Sequence, residues 1–263
     1  MQVEGVPNLW ADLKRARARF LAVDYDGTLA PFRLERMEAL PARDAKEALE
    51  RIARLPATTV AVISGRPVSE VTTLLDPQDI TVIGSHGWEE KKPGQITRTY
   101  PLTRLQTEKL EKGRRKAEAL CDSGRIENKV ASVAVHTRGM DRGSQGKIQS
   151  EIKAAWLELE RDNELETRVF NGGIELRAIG RDKGRALETL ITESGPDTYF
   201  VYIGDDQTDE DAFRAVRRQG VGIRVGPVDA LSFATGHLKD CEEVVALLNS
   251  WNEILGDART RRP

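Results

Sequence analysis

Short runs of apolar and β-branched residues recur along the chain, separated by stretches that mix apolar and charged positions. Runs that are apolar at nearly every position are typical of strands covered on both faces, as in a parallel sheet. The pattern predicts five such strands: FLAVD (20–24), TTVAVIS (58–64), DITVIGS (79–85), TYFVYIGDD (198–206) and VGIRVG (221–226).

Stretches between these runs have the periodicity of amphipathic helices. Residues 182–194 and 209–220 are two examples, and the second is predicted to end at Gly220, a residue type that suits a helix C-terminus. Alternating strands and helices indicate a doubly wound α/β core. A third predicted helix, residues 41–55, brings five apolar side chains to one face: Ala45, Ala48, Leu49, Ile52 and Leu55.

The middle of the chain has a different pattern, which predicts a smaller α/β domain inserted into the core. Its strands alternate apolar and polar residues, so one face is expected to meet a core and the other to meet solvent or ligand. We place the inserted domain at 102–178 and the discontinuous core at 1–101 and 179–263. Within the insert we predict a helix at 103–120, a strand at 131–138, a helix at 146–162 and strand structure at 166–178.

Composition and charge narrow the classes of protein. The 263 residues carry a formal net charge of −2, which does not favour a nucleic-acid partner. The two cysteines, Cys121 and Cys241, lack the spacing of a zinc site or a disulfide framework, which fits a reducing cytoplasm. The N-terminal residues show no apolar segment of the kind found in signal peptides, and no apolar run elsewhere is long enough to span a bilayer. We therefore expect a cytoplasmic monomer with no membrane partner.

Polar groups stand where three of the predicted strands end. Asp24 and Asp26 end the first, Ser64 with its neighbours in SGR ends the second, and GDDQTDED (204–211) ends the fourth. Because the carboxyl ends of parallel strands line one crevice, these groups are expected to meet despite their distance in sequence.

The acidic residues of this crevice suggest a metal site. Asp24 and Asp26 are two positions apart, so in extended chain they lean to one side. Two carboxylates this close repel each other unless a cation or a shared proton relieves the charge. Asp205 and Asp206 add further negative charge. An all-oxygen set of this kind favours Mg²⁺, which keeps waters for a substrate phosphate.

Other residues of the crevice suit a phosphate group. Lys183 stands at the start of a predicted helix, where a cation and a helix N-terminus would together attract an anion. Thr28, Ser64 and the loop at Gly65 supply hydroxyl and backbone donors for phosphate oxygens.

The reaction that uses this set is phosphoryl transfer to a carboxylate. Asp24 would attack phosphorus and form an aspartyl phosphate. Asp26 would protonate the leaving oxygen and then take a proton from the hydrolytic water.

Each motif alone has a structural interpretation: DYDG as a turn or the start of an EF-hand loop, SGRP as a loop, DDQTDED as helix capping, and Lys183 as a surface lysine. Their order, each at a strand end or helix start, favours a site.

DYDGTL, SGR, DKG and GDDQTDED resemble the four motifs of haloacid-dehalogenase-superfamily phosphatases. The resemblance implies a Rossmann-like core with Asp24 as nucleophile and Asp26 as general acid/base. It implies a Mg²⁺ ion held by Asp24, the backbone carbonyl of Asp26 and Asp205, with Asp206 supporting. It also implies that residues 102–178 are the large α/β cap of this superfamily.

A narrower resemblance is to trehalose-6-phosphate phosphatases. It rests on DYDGTLAP, SGRP, GSHGWE (84–89), ENKVASVAVHTR (127–138) and GGIELR (172–177). The resemblance implies that Arg138 and Glu175 hold sugar hydroxyls, with Glu89, Lys129 and His136 near the hinge or cap face. We also assign Arg66 of SGR to substrate binding.

The sequence therefore predicts a Mg²⁺-dependent phosphatase that acts on trehalose 6-phosphate. Alternatives are a phosphatase for sucrose phosphate or a glycosyl-phosphoglycerate, a phosphomutase, and a non-catalytic domain that binds a sugar phosphate. Structural interpretations also stay open for three of the residues: His136 as a packing histidine, Glu89 in a solvated turn, and Glu175 paired with Arg177.

Overall fold

The computed structural model describes residues 1–33, 35–170, 172–227 and 231–256. The chain divides into two compact units. The first unit comprises Met1–Arg98 and Lys183–Pro263, and the second unit is Thr99–Asp182. The sequence prediction had put these boundaries at 101/102 and 178/179.

The strands and helices of both units are numbered together in chain order. The strands are β1 (Ala18–Val23), β2 (Thr58–Ile63), β3 (Thr81–Gly84), β4 (Glu89–Lys91), β5 (Arg98–Thr99), β6 (Ile126–Asn128), β7 (Ser132–His136), β8 (Leu165–Phe170), β9 (Gly173–Ala178), β10 (Thr198–Gly204), β11 (Gly220–Val225) and β12 (Gly236–Leu238). The helices are α1 (Leu9–Arg15), α2 (Ala45–Ala53), α3 (Val68–Leu75), α4 (Arg104–Glu118), α5 (Arg142–Trp156), α6 (Lys183–Ser194), α7 (Glu210–Val216) and α8 (Cys241–Gly256).

An eight-stranded sheet organises the first unit, in the order β12-β11-β10-β1-β2-β3-β4-β5. The strands from β12 to β3 run parallel, and β4 is antiparallel to β3. The five predicted strands are all present, which confirms the predicted α/β fold with a mostly parallel sheet. None of the described helices combines the length and the apolar character needed to cross a membrane.

Apolar side chains from both faces of this sheet build two cores. Alternate residues of β1 serve opposite faces: Leu21 packs into the core beneath α1, α2, α3 and α8, while Phe20 packs into the core beneath α6 and α7. The Phe20 ring stacks on Phe200 of β10 with 4.8 Å between the ring centroids. Coverage on both faces explains why the strand sequences are apolar throughout.

The second unit is a four-stranded antiparallel sheet in the order β6-β7-β9-β8, covered by α4 and α5. Trp156 of α5 is fully buried and donates its indole N–H to the carbonyl of Gly113 on α4, at 2.9 Å. Helix α5 begins four residues before the predicted start because the Asp141 carboxylate caps it, accepting from the backbone N of Ser144 at 3.0 Å.

One predicted helix end is wrong. Helix α7 ends at Val216, and Gly220 is the first residue of β11. A Cβ atom at Gly220 would lie 1.9 Å from the carbonyl oxygen of Phe200 on the neighbouring strand. Gly220 is therefore required by the close approach of two strands, not by a helix C-terminus.

We predict that Leu21→Ala, which empties a fully buried position on the central strand, lowers the free energy of unfolding by about 2–5 kcal/mol. Leu40→Ala makes the same chemical change at a side chain that is 61% exposed and should cost under about 0.5 kcal/mol. Urea unfolding followed by circular dichroism measures both. Equal losses in the two variants would contradict the placement of this core.

Candidate active site

Adjacent parallel strands bring the predicted polar groups to one edge of the sheet. Val23 of β1 is in register with Val62 of β2 and Ile203 of β10. The next residue, Asp24, continues the ladder, donating its backbone N–H to the carbonyl of Ile203 at 2.8 Å. Ser64, after β2, likewise bonds to β3 at the carbonyl of Ile83. The segments that follow β1, β2 and β10 therefore leave the sheet at the same edge, as the sequence predicted.

The buried ammonium group of Lys183 lies between two carboxylates. Its Nζ atom is 2.8 Å from Asp24 Oδ1 and 2.8 Å from Asp209 Oδ1. Burial alone would lower the pKa of Lys183, but the charges of Asp209 and Asp24 outweigh it and raise the pKa above its ordinary value. Lys183 is therefore a fixed positive charge beside Asp24. Its interpretation as a surface lysine is wrong.

Asp209 is a site residue that the sequence interpretation did not single out. Its Oδ1 accepts from Lys183 and from the Tyr202 hydroxyl at 2.5 Å, and its Oδ2 accepts from the backbone N–H groups of Asp205 and Asp206 at 3.0 and 2.9 Å. These four donors fill the acceptor sites of a carboxylate. Asp209 therefore ties the lysine to the loop after β10. In the sequence, Asp209 is marked only as one more acidic residue of GDDQTDED.

Asp206 has the capping geometry that the structural interpretation of DDQTDED describes. Its Oδ1 accepts from the backbone N of Gln207 at 2.7 Å, and with Asp209 it forms a capping box at the turn leading into α7. The three carboxylates that lie together are those of Asp24, Asp205 and Asp209, which can each bring an oxygen within 4.8 Å of the others.

This cluster carries more negative charge than Lys183 can balance. If all three carboxylates were ionised, the one ammonium group would leave two negative charges in a buried place. Burial raises the pKa of Asp24 to about 7, against the pull of Lys183. Burial and then the charge of Asp24 raise the pKa of Asp205 to about 9. These three carboxylates could together hold a metal ion.

Three observations test whether a divalent cation fits. Asp205 Oδ1 is buried with no hydrogen-bond partner among the described residues, and so is Thr28 Oγ1. Gly27 has φ +80°, and a Cβ atom there would lie 2.2 Å from Asp205 Oδ2, so the chain keeps the space beside this carboxylate clear. All of the donors are oxygen atoms, as a hard cation prefers. The residues fit such an ion.

Asp26 has a cation of its own. Arg66 donates to it from Nε at 2.6 Å and from Nη2 at 2.7 Å, a two-bond fork. The Arg66 side chain is 6% exposed and that of Asp26 is 28% exposed. The negative charges of the two aspartates are thus balanced by different partners. Lys183 lies beside Asp24, and Arg66 binds Asp26.

The SGR loop is shaped by its neighbours. Ser64 is buried, and its Oγ accepts from the backbone N of Arg66 at 3.1 Å, which leaves the hydroxyl hydrogen to donate elsewhere. A Cβ atom at Gly65 would lie 2.7 Å from the His86 ring. Glycine is therefore required for this ring to pack on the loop.

Glu89 is buried, so its interpretation as part of a solvated turn is wrong. Its Oε2 accepts from Ser85 Oγ at 2.6 Å and from the backbone N of Val68, at the start of α3, at 3.3 Å. Ser85 and His86 both have left-handed backbone angles, with φ +49° and +54°. Such angles cost about 1 kcal/mol or more in residues other than glycine, and Glu89 holds the segment that adopts them.

In the second unit, three of the predicted residues belong to one polar cluster. Lys129 Nζ lies 2.9 Å from Glu175 Oε1, which also accepts from Ser132 Oγ at 2.7 Å. His136 Nε2 lies 2.8 Å from Glu127 Oε2, and Lys129 Nζ is 3.9 Å from the same oxygen. Glu127 was not predicted, although it and Lys129 are two positions apart in the quoted ENK segment and share a side of the chain.

The polar face of β9 is covered rather than open to solvent. Glu175 and Arg177 are both buried, Glu175 beside Lys129 and Arg177 with its Nε 2.7 Å from Glu166 Oε1. Arg138 packs against Gly172, where a Cβ atom would be 2.9 Å from its Nε.

The fold and this site define the class of protein. A mostly parallel sheet with an acid pair after its central strand, a lysine at the start of a later helix and an acidic loop after β10 is the α/β fold of the haloacid-dehalogenase type. The C-terminal domain of the C. albicans trehalose-6-phosphate phosphatase has this fold with a TM-score of 0.82 and 19% identity, covering 97% of each chain. At that identity the match shows the fold alone.

Within that class, this chain belongs to the trehalose-phosphatase family, whose family model matches residues 22–236. It is 31% identical over 233 residues to the bifunctional trehalose-6-phosphate synthase/phosphatase of Thermoproteus tenax, covering 88% of this chain and 32% of that protein. It is 26% identical over 270 residues to the probable trehalose-phosphate phosphatase H of Arabidopsis thaliana, covering 94% of this chain and 76% of that one. The chain thus spans about a third of the Thermoproteus relative.

The raised pKa values predict a stability that falls with rising pH when no divalent cation is present. Asp24 and Asp205 hold protons in the folded state up to pH of about 7 and about 9, whereas ordinary aspartates release them near 3.8. The folded state therefore binds more protons than the unfolded state across this range, and the free energy of unfolding decreases with pH. Urea unfolding in EDTA between pH about 5 and about 9 measures the slope.

The Asp205→Asn variant should have a shallower slope, because one of the two groups no longer titrates. Asp197→Asn changes an aspartate that is 66% exposed and should keep the wild-type slope. An identical slope in wild type and Asp205→Asn would contradict the charge surplus.

Proposed function

We propose that this chain is a Mg²⁺-dependent phosphatase that hydrolyses trehalose 6-phosphate to trehalose and phosphate. The observation that carries the proposal is the buried pair of Asp24 and Lys183 within a surplus of carboxylates. Membership of the trehalose-phosphatase family and the names of the relatives support the substrate.

In the first step a carboxylate oxygen of Asp24 forms a bond to phosphorus while the bond from phosphorus to the sugar oxygen breaks. The electron pair of the broken bond goes to the sugar oxygen, which takes a proton from Asp26. In the second step water gives a proton to Asp26 and attacks the same phosphorus, and the bond to Asp24 breaks. Phosphate leaves, and both aspartates return to their starting states.

The cation would be held by the side chains of Asp24 and Asp205 and by the backbone carbonyl of Asp26. When bound, it supplies positive charge that offsets the charges of the phosphate and the nucleophile. Asp209 is assigned to positioning, because its oxygens already accept from four donors. Asp206 supports the site as the cap of the turn that carries Asp209.

Donors around Asp24 would bind the phosphate oxygens. An ammonium group has three N–H bonds, and Lys183 uses two of them on Asp24 and Asp209, which leaves one for the substrate. Thr28 and Ser64 contribute hydroxyl groups, and Gly65 contributes a backbone donor in a loop that admits no side chain there.

The second unit is proposed to be the cap, with sugar recognition by its polar cluster. Lys129, His136 and Glu175 are assigned to sugar hydroxyls together with Glu127, and Arg138 contributes from beside Gly172. The ion pairs among these groups hold them in fixed positions and give both donors and acceptors, as a polyhydroxyl ligand requires.

We also propose a cytoplasmic monomer that acts on a small molecule rather than on nucleic acid. The near-zero net charge and two unpaired cysteines support this assignment.

Asp24→Asn is predicted to lower phosphate release by at least about a thousand-fold, since an amide is a poor nucleophile. Phosphate release from trehalose 6-phosphate, with Mg²⁺ and with EDTA, measures it. Asp197→Asn is the matched control and should retain wild-type turnover. Unchanged turnover in Asp24→Asn would sink the nucleophile assignment, and no turnover by wild type on any sugar phosphate would favour a non-catalytic binding domain.

A panel of sugar phosphates tests the substrate. We expect the highest kcat/KM with trehalose 6-phosphate, compared with sucrose phosphate, a glycosyl-phosphoglycerate and glucose 6-phosphate. Glu175→Gln should raise KM for the preferred sugar phosphate about ten-fold or more, because it removes a charged acceptor. Its matched control, Glu166→Gln on the neighbouring strand, should change KM little. A higher kcat/KM for another member of the panel would replace the substrate named here.

A further inference from the structure

The guanidinium group of Arg66 is occupied by protein carboxylates. Its Nε and Nη2 atoms donate to the two oxygens of Asp26, and its Nη1 lies 3.3 Å from Glu70 Oε2. From the sequence, Arg66 was expected to bind substrate. A buried arginine whose three nitrogens all face carboxylates is better suited to orienting them than to binding a sugar or a phosphate.

The surroundings of Arg66 fix it in place. Glu70 lies on α3, one turn after the SGR loop, and is itself held by Arg36, whose Nη2 is 2.7 Å from Glu70 Oε2. The Tyr25 ring lies beneath the guanidinium, with 5.5 Å between Arg66 Cζ and the ring centroid. A side chain supported in this way loses little further entropy when it holds Asp26.

We propose that Arg66 is the positioning residue of Asp26, holding the plane of its carboxylate so that proton transfer to the leaving oxygen occurs from a fixed place. This inference rests on the proposed role of Asp26. The fork uses one acceptor site on each oxygen, and a carboxylate offers about two on each. Asp26 therefore keeps a site for a proton while its orientation is fixed, and its side chain retains 28% exposure.

Two substrates whose leaving groups differ in their need for a proton distinguish the positioning role from a purely structural role. An alkoxide leaving from a sugar phosphate needs protonation, whereas p-nitrophenolate leaves from p-nitrophenyl phosphate without it. Since kcat/KM reports the steps up to formation of the phosphoenzyme, loss of proton transfer should lower it for the sugar phosphate far more than for the aryl phosphate.

The experiment measures kcat/KM on trehalose 6-phosphate and p-nitrophenyl phosphate for wild type and four variants. Asp26→Asn removes the proposed proton donor, so it gives the largest expected difference between the losses of kcat/KM on the two substrates. Arg66→Gln should show the same pattern, with a loss at least about ten-fold greater on the sugar phosphate. Arg66→Lys keeps the charge but not the fork, so its loss should be intermediate. Arg17→Gln makes the same chemical change as Arg66→Gln at a side chain that is 84% exposed and should leave the ratio of the two kcat/KM values unchanged.

Inhibition by inorganic phosphate gives a second measurement. A positioning residue leaves the inhibition constant of phosphate unchanged, whereas a residue that binds phosphate raises it on mutation. Equal losses of Arg66→Gln on both substrates, or a raised inhibition constant, would overturn the proposal. If Arg66→Gln does not fold, Arg66→Lys carries the same comparison.

The outcomes distinguish this inference from the proposed function. If Asp26→Asn separates the substrates and the Arg66 variants do not, only the positioning role fails. If Asp26→Asn lowers both equally, the role of Asp26 fails and the positioning role fails with it. If wild type prefers another sugar phosphate, that compound replaces trehalose 6-phosphate in the same comparison.

Discussion

The active-site end of the large sheet is organised by one constraint: three carboxylates must be buried around a single ammonium group. Burying a charge is costly unless partners surround it. Lys183 meets this need for Asp24 and Asp209, and Asp209 in turn holds the backbone of Asp205 and Asp206. The loop after β10 is therefore tied to the start of α6 through a carboxylate. Asp205 is left with a buried oxygen that no described residue satisfies, in a cluster of carboxylates that could hold a metal ion.

The parallel sheet determines which chain segments share this constraint. Because β1 lies between β10 and β2, the segments after all three strands leave at the same level. Backbone ladders thus bring Asp24, the SGR loop and the acidic loop to one edge of the sheet, and the side chain of Asp209 then holds the acidic loop. The finer geometry comes from packing at single residues. Gly27 gives Asp205 its space, and Gly65 admits the His86 ring. Glu89 holds a left-handed segment close to the start of α3.

The strands and the convergence of motifs could be predicted because both follow from backbone rules. A strand covered on both faces must be apolar throughout, and parallel strands must end together. Three features could not be predicted in this way. The role of Asp209 depends on four donors that meet only in the folded chain, and the Arg66 fork joins residues forty positions apart. Buried Glu89 bonds to Ser85 in a segment with positive φ angles at Ser85 and His86, which the residue types do not signal. Gly220 misled the helix prediction, because glycine serves close strand approach as readily as helix termination.

The positions of the two units along the chain affect when each of them can fold during synthesis. The strands of the four-stranded sheet lie between Ile126 and Ala178, so a ribosome delivers that sheet as one continuous segment. The large sheet is different, since β1 pairs with β10, with Val23 opposite Ile203. Pairing across such a distance is slow and waits for the later segment to emerge. Asp24 is synthesised early, yet it stays hydrated until Lys183 and β10 arrive. Burial of the Asp24 carboxylate therefore accompanies the pairing of β1 with β10, and a truncated product that lacks β10 has neither.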